Sequence, residues 1–313
     1  MPIVPPHAAN LAAAVAALRA SQLVGMPTET VYGVAAIAGD AVAVARTFAA
    51  KQRPGDNPLI VHLAGAEELH RVAREVSAAA RRLAAMFWPG PLTLVLPRQP
   101  HVLPAVTAGL DTVAVRVPAH PVALDLLRAV GEPLSAPSAN TFQQLSPTTA
   151  ADIEPELLQR LALVLDGGAC TVGIESTVVD CTGAPRVLRP GGIPRAAIEA
   201  ALGIAVPLAG GEATGARHAP GLYARHYAPR TPVAIAASLA ATDVGLTFAA
   251  PAGTRQIEMP DEPAAYAASL YRVLHALDQL GAERIVVQAV PGDRAWEAVR
   301  DRLQKAAAPP DGG

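Results

Sequence analysis

The stretch AVAVARTFAAKQRPGDNPLIVHL, residues 41–63, packs a helix, a charged loop and a strand into one short run. Residues 41–50 carry Ala and Val in a pattern that predicts a helix. Residues 58–63 form a continuous apolar run behind a Pro/Gly turn, the mark of a buried strand. Helix, tight loop and buried strand in succession make the unit from which α/β layers are built. The loop between them, Lys51-Gln52-Arg53-Pro54-Gly55-Asp56-Asn57-Pro58, holds one of only two lysines in the chain, and Lys305 is the other. Lysine is a compact ammonium on a flexible stem, and arginine is a planar fork suited to phosphate or carboxylate. Two residues apart, Lys51 and Arg53 form a candidate polyanion clamp; an ordinary solvated loop accounts for the same residues.

Outward from this stretch the alternation continues. Upstream, residues 8–21 predict a helix and 23–26 a short strand ending at Pro27. Downstream come helices from Ala66 and Val76, strands at 92–96 and 113–117, and a helix at 121–130. Strands around 161–165, 176–179 and 186–188 and a helix at 194–202 complete the block. Residues 209–232 show no period and are rich in Gly, Pro, Arg and His, the composition of a linker. Within it, PGLYARHYAP (220–229) is too aromatic and charged for a passive tether. Strands at 233–237, 242–248 and 284–289 and helices at 263–280 and 296–307 form a second, smaller α/β unit. The 313 residues therefore divide into a domain at 1–208, a linker or lid at 209–232 and a small domain at 233–313.

Composition narrows the function. Net charge is −2, so a protein that works by gripping RNA, which shows a basic excess, is disfavoured. Any anion site must be a local cluster. Two cysteines without metal-ligand spacing predict a reduced, cytoplasmic chain. The opening residues lack a basic region and a long apolar run, so no signal peptide is expected, and no run of apolar residues suits a membrane span. The phosphate loop GxxxxGK[ST], a GxGxxG after a strand, GxSxG and HExxH are all missing.

Three segments carry polar groups at strand exits. In PTETVYG (27–33), Thr28 and its neighbours either present hydroxyls to a ligand or cap a helix at Thr28. SAPSAN (135–140) and SPTT (146–149) suit a ribose or phosphate, and equally suit turns with a helix cap at Thr148. GIESTVVD (173–180) leads into VLRPG (187–191), a hairpin-like pair ending in an arginine. His62, closing its apolar strand, reads as a structural histidine as readily as a ligand. Arg116, within the strand at 113–117, requires a carboxylate partner if buried, from a ligand or from an Asp or Glu of the chain.

Taken together with FWPGPLTLVLP (87–97), VAVRVPAHP (113–121), LRPGGI (188–193) and PGLYARHYAP, these blocks resemble the YrdC-like threonylcarbamoyl-adenylate synthases, in the long form with an added C-terminal domain. The resemblance runs in order along essentially the whole chain. It implies a YrdC-like twisted mixed sheet with flanking helices and a concave active-site cavity, plus a small Rossmann-like α/β domain. It further implies that Lys51 and Arg53 are catalytic and, with Ser138 and Asn140, hold ATP phosphates and ribose. Asn57, Ser146 and Arg189 would add nucleotide contacts. Thr28, Tyr32, His62, Arg116 and Ser176 would form the L-threonine pocket, and His226 and Tyr227 would join the ATP-binding residues as part of a lid over the mouth of the site. The implied reaction joins L-threonine, bicarbonate and ATP into threonylcarbamoyl-AMP and pyrophosphate, with Mg²⁺ accompanying ATP. The product would pass to a tRNA threonylcarbamoyl-transferase complex for N6-threonylcarbamoyladenosine synthesis, without tight tRNA binding and without a membrane.

The chain departs from the family pattern at Ala36 and Ile37, at Thr141-Phe142-Gln143-Gln144, at Gln52 and at Ala219. These leave room for a paralogue using the same carbamoyl-adenylate chemistry on another acceptor. An RNA-binding module is the rival from a different class.

Overall fold

The computed structural model describes residues 2–209 and 223–309. The first half builds β1 (Ile3–Val4), α1 (Ala8–Arg19), β2 (Val24–Met26), β3 (Gly33–Ile37), α2 (Ala41–Lys51), β4 (Ile60–His62), α3 (Ala78–Phe87), β5 (Leu92–Pro97), α4 (Pro104–Thr107), β6 (Thr112–Arg116), α5 (Pro121–Val130) and β7 (Leu134–Ser135). It continues through α6 (Pro155–Leu158), β8 (Leu163–Leu165), β9 (Thr177–Asp180), β10 (Arg186–Arg189) and α7 (Arg195–Leu202). These strands form a ten-stranded mixed sheet in the order β1-β8-β2-β3-β7-β4-β6-β5-β9-β10. The smaller unit comprises β11 (Val233–Ala236), β12 (Gly245–Thr247), β13 (Gln256–Glu258), α8 (Pro263–Asp278), β14 (Ile285–Gln288) and α9 (Glu297–Ala307). Its four strands are all parallel, in the order β11-β14-β12-β13.

Strand alternation explains where the site falls. Along β4, Val61 joins the core beneath α2 and α3, while Ile60 joins a separate cluster with Ala114, Val178 and Leu188 on the other face. The parallel pairing of β4 with β6 sets His62 beside Arg116 on that second face. A third apolar cluster joins the two units: Val31, Leu145 and Ile174 pack with Tyr266, Leu270 and Tyr271 of α8 and with Val299 and Leu303 of α9.

Several expectations need correction. No helix follows Thr28. Its hydroxyl accepts from the amides of Thr30 and Val31 and donates to the Val31 carbonyl, closing a turn that sends β3 back antiparallel on β2. The same hydroxyl-to-amide bonds serve a helix cap and a tight turn, and the buried run Val34-Ala35-Ala36 makes the sheet the better partner here. Lys51 ends α2 rather than opening the loop, and Gln52 takes the left-handed C-cap position at φ 51°. The helix from Ala66 is a 3-10 turn, Ala66–Arg71, and α3 begins only after Ser77, whose hydroxyl accepts from the Ala80 amide. Thr148 caps no helix: it and Thr149 donate to the Asp152 carboxylate around the 3-10 turn Ala150–Asp152. No described helix is long and apolar enough to cross a membrane.

Candidate active site

One face of the large sheet carries an open-mouthed cleft holding about 520 Å³ of empty space, the solvent at its mouth included. Eight of the fourteen residues implied by the resemblance line it: Arg53, His62, Arg116, Ser138, Ser176, Arg189, His226 and Tyr227. Three guanidiniums thus face one space. Arg53 is braced by Asn57, donating to its carbonyl at 3.1 Å and its Oδ1 at 2.5 Å, and by the Pro58 carbonyl. Arg189 donates to the Ser176 carbonyl at 3.1 and 2.9 Å and to Ser176 Oγ at 3.1 Å. Arg116 has found an acid from its own chain: Nη2 lies 2.7 Å from Glu29 Oε1, and Nη1 donates to Thr30 Oγ1 at 2.8 Å. The Glu29 contact is close yet not aligned as a hydrogen bond. It is an ion pair all the same, because charge attraction between buried groups needs proximity rather than alignment.

The other six stand one layer behind. Lys51 is fully buried, and Nζ donates to the carbonyls of Ser138 and Asn140, so it pins the turn that carries Ser138 into the cavity. Burial, reinforced by the charge of Arg53, pushes its pKa well down. Asn57 positions Arg53, and Ser146 Oγ donates to Glu175 Oε1 at 2.6 Å. Asn140 Nδ2 ties the following loop through Thr141 and Gln144. Tyr32 is anchored away from the cavity, donating to the Gly168 carbonyl at 2.8 Å. Thr28 shapes the turn already described.

Electrostatics leave neither histidine of the cavity a strong base. Burial and the adjacent Arg116 pull His62 down to about 3, and burial holds His226 well below the usual range. Both imidazoles are neutral at physiological pH. Burial also lowers Arg53, to about 10, which still leaves it cationic. The cavity can therefore bind and orient anions, and neither of its histidines is tuned to take a proton near neutrality.

The residues after the undescribed 210–222 fold onto this site, with Ala219 and the Pro220-Gly221-Leu222 part of the aromatic block lying outside the described residues. Tyr223 OH donates to Asp56 Oδ1 at 2.9 Å, and Phe142 meets the Tyr223 ring edge-on at 4.8 Å. The Gln143 carbonyl accepts from the Ala228 amide. So Phe142 and Gln143, two of the departures from the family pattern, contact the linker, while Ala36 is buried in β3 against Ser135. None of the four residues Ala36, Ile37, Phe142 and Gln143 lines the cavity.

Sequence reading missed Glu29, Thr30, Glu175 and Arg302. The first two sit inside PTETVYG and the third inside IESTVVD, where a buried acid beside a buried Arg was the available signal. Arg302 had one too: it lies on the buried face of α9 with Val299, Leu303 and Ala306, a core position that normally takes an apolar residue.

Five buried side-chain atoms at or just behind the cavity, Asn57 Nδ2, His62 Nδ1, Asn140 Oδ1, His226 Nδ1 and Tyr227 OH, have no hydrogen-bond partner among the described residues. Buried polar groups are nearly always paired, so such a cluster marks a place built to receive a polar ligand. No group of three or more His, Cys, Asp or Glu among the described residues is placed to hold a metal ion.

A two-domain α/β protein with a deep, guanidinium-lined, ligand-binding cavity is the class that fold and site define. The Sua5/YciO/YrdC family, described as "Telomere recombination", matches residues 16–191, and "Threonylcarbamoyl-AMP synthase, C-terminal domain" matches residues 193–308. The chain belongs to this family. A threonylcarbamoyl-AMP synthase of Pyrococcus abyssi is 40% identical over 310 residues, 92% of this chain and 91% of that one. Another from Bacillus subtilis is 38% identical over 321 residues, 95% and 93% of the two chains. The crystal structure of P. abyssi Sua5 complexed with L-threonine superposes with a TM-score of 0.87 at 37% identity, covering 95% of this chain and 94% of that one.

Proposed function

We propose that this chain is an L-threonylcarbamoyl-AMP synthase, a nucleotidyltransferase that forms threonylcarbamoyl-AMP and pyrophosphate from L-threonine, bicarbonate and ATP. The observation that carries this is the cluster of unpartnered buried polar atoms around a cavity lined by Arg53, Arg116 and Arg189. The relatives named above and the L-threonine complex of P. abyssi Sua5 support it.

In the reaction the threonine amine and bicarbonate give a carbamate and water. A carbamate oxygen then attacks the α-phosphorus of ATP, and the bond to the bridging oxygen breaks to release pyrophosphate. Neither step needs a strong protein base once the amine is deprotonated; both need alignment and charge compensation. Arg53 and Arg189 compensate phosphate charge, and Ser138 reaches the nucleotide from the turn that Lys51 pins. The threonine pocket lies where His62, Arg116 and Ser176 meet. Tyr32 and Thr28 shape it from behind. With Glu29 on Arg116, the guanidinium meets an incoming carboxylate from a position already oriented. His226 and Tyr227 cover the opening and keep water from a hydrolysable adenylate. Mg²⁺ would enter with ATP and add charge compensation on its phosphates, since no cluster of acidic side chains among the described residues is placed to hold it. The reaction is placed in the cytoplasm, with the product handed to a tRNA threonylcarbamoyl-transferase complex.

Pyrophosphate release from ATP, with the amino acids offered singly, tests this. Dependence on both L-threonine and bicarbonate is the expected result. Release with a different acceptor would favour the paralogue, although the described residues that depart from the family pattern avoid the cavity wall. No release by a folded protein would overturn the proposal.

A further inference from the structure

Glu175 is the one carboxylate among the described residues lining the cavity, and it faces a wall that otherwise holds three guanidiniums. Its oxygens are held from three directions. Ser146 Oγ donates to Oε1 at 2.6 Å; Tyr271 OH donates to Oε2 at 3.0 Å and Arg302 Nε to the same oxygen at 2.8 Å. Tyr271 and Arg302 come from α8 and α9, so the smaller domain supplies two of the three donors. The Arg302 side chain is 0% exposed, and its guanidinium also sits 4.7 Å from the centre of the Tyr227 ring, a residue of the cavity wall. Its second acid partner, Asp301, is shared with Lys305.

We propose that Arg302 is a positioning residue for nucleotide binding: from the second domain it cancels the charge of Glu175 and holds that carboxylate against Ser146 and Tyr271, away from the polyphosphate. Apolar residues of similar volume hold buried surfaces together at least as well as an ion pair, so stability alone gives no reason for one at a cavity wall. The carboxylate is ionised: burial would raise its pKa, but Arg302, Arg189 and the Ser146 hydroxyl bring it down to about 2. An ionised Glu175 without Arg302 would lose its ion-pair partner and turn an under-compensated negative charge toward the compartment assigned to ATP. The inference rests on that assignment, and it gives the smaller domain a role in the chemistry of the larger one.

The test is a double-mutant cycle on the full chain with Arg302→Gln, Glu175→Gln and the pair, reading the Kd for ATP by calorimetry and KM for ATP and for L-threonine by pyrophosphate release. Arg302→Gln should raise the Kd for ATP on the order of tenfold or more. KM for L-threonine should move far less. In the Glu175→Gln background the same substitution should leave ATP affinity within about threefold, because the charge it compensates is gone. If Arg302→Gln alone fails to fold, Arg302→Lys, which keeps the charge but loses the guanidinium fork on Glu175, takes its place in the cycle; it should raise the Kd for ATP on the order of threefold and lose that effect in the Glu175→Gln background, and no rise would overturn the inference. Equal losses in both backgrounds, or an unchanged Kd in Arg302→Gln, would overturn the inference while the synthase assignment stands. A folded wild-type chain that binds no ATP would overturn both.

Discussion

Lys51 and Arg302 are both fully buried basic side chains, one at the end of α2 in the large domain and one on α9 in the small domain, yet their surroundings differ in kind. Lys51 meets two backbone carbonyls. Arg302 meets the carboxylates of Glu175 and Asp301 and the face of Tyr227. Burial strips water from each, and only Arg302 regains full counter-charge. Accordingly the pKa of Lys51 is driven well down, while acids and phenols around Arg302 outweigh burial and drive its pKa well up. The lesson is that charge near this cavity is managed in two ways. Around Arg302 two carboxylates close it; around Lys51 and Arg53 only backbone carbonyls, the Asn57 amide oxygen and acids farther off answer it.

The sharpest way to break this comparison is Arg53→Ala. Pyrophosphate release should fall by about 10²–10³-fold in a folded protein, the scale for losing one pre-aligned charge. A rate near wild type would remove Arg53 from the site. Lys51→Ala should also lose most turnover, but it should carry a stability loss of about 1–3 kcal/mol as well, because two buried carbonyls lose their donor. Urea denaturation reads that difference, and a Lys51 variant as stable as wild type would mean the Ser138–Asn140 turn does not depend on it.

A smaller effect concerns acid. The Glu175 carboxyl drops from 4.5 to about 2 on folding, so its contribution is complete above 4.5 and is lost as pH falls through about 2. Calorimetric melting between those limits should show Glu175→Gln losing less Tm than wild type; parallel curves would show that the Arg302 pair does not govern the shift. Smallest of all, Gln52→Gly should stabilise the chain by roughly 0.5–1 kcal/mol, since Gln52 sits at φ 51° where glycine is at no steric disadvantage. A destabilised Gln52→Gly would mean the side chain makes contacts that outweigh its backbone strain.

Much of the fold was legible. Helix α5 matches its expected bounds because its signals are local, with Pro121 at the first turn and Gly131 at the left-handed C-cap. Strand β3 was not, because Thr28 offers the same hydroxyl bonds to a turn and to a helix. At the site, the motif order led to Arg53, Arg116, Ser176 and Arg189, all of which line one cavity. The same motifs placed Lys51 in direct phosphate contact, whereas the structure has it bound to carbonyls 87 and 89 positions along the chain. Arg302 and Glu175 are separated by 127 positions, and nothing in the spacing of either announces the other.

Local signals sufficed where the physics is local: helix periodicity, proline and glycine stops, apolar strand runs and the presence of a cationic cluster all depend on a few neighbouring residues. Which cations end up compensated, which histidines stay neutral, and how the small domain reaches the wall of the cavity were decided by tertiary structure alone. Desolvation and Coulomb attraction act across space, and only the packed chain sets those distances.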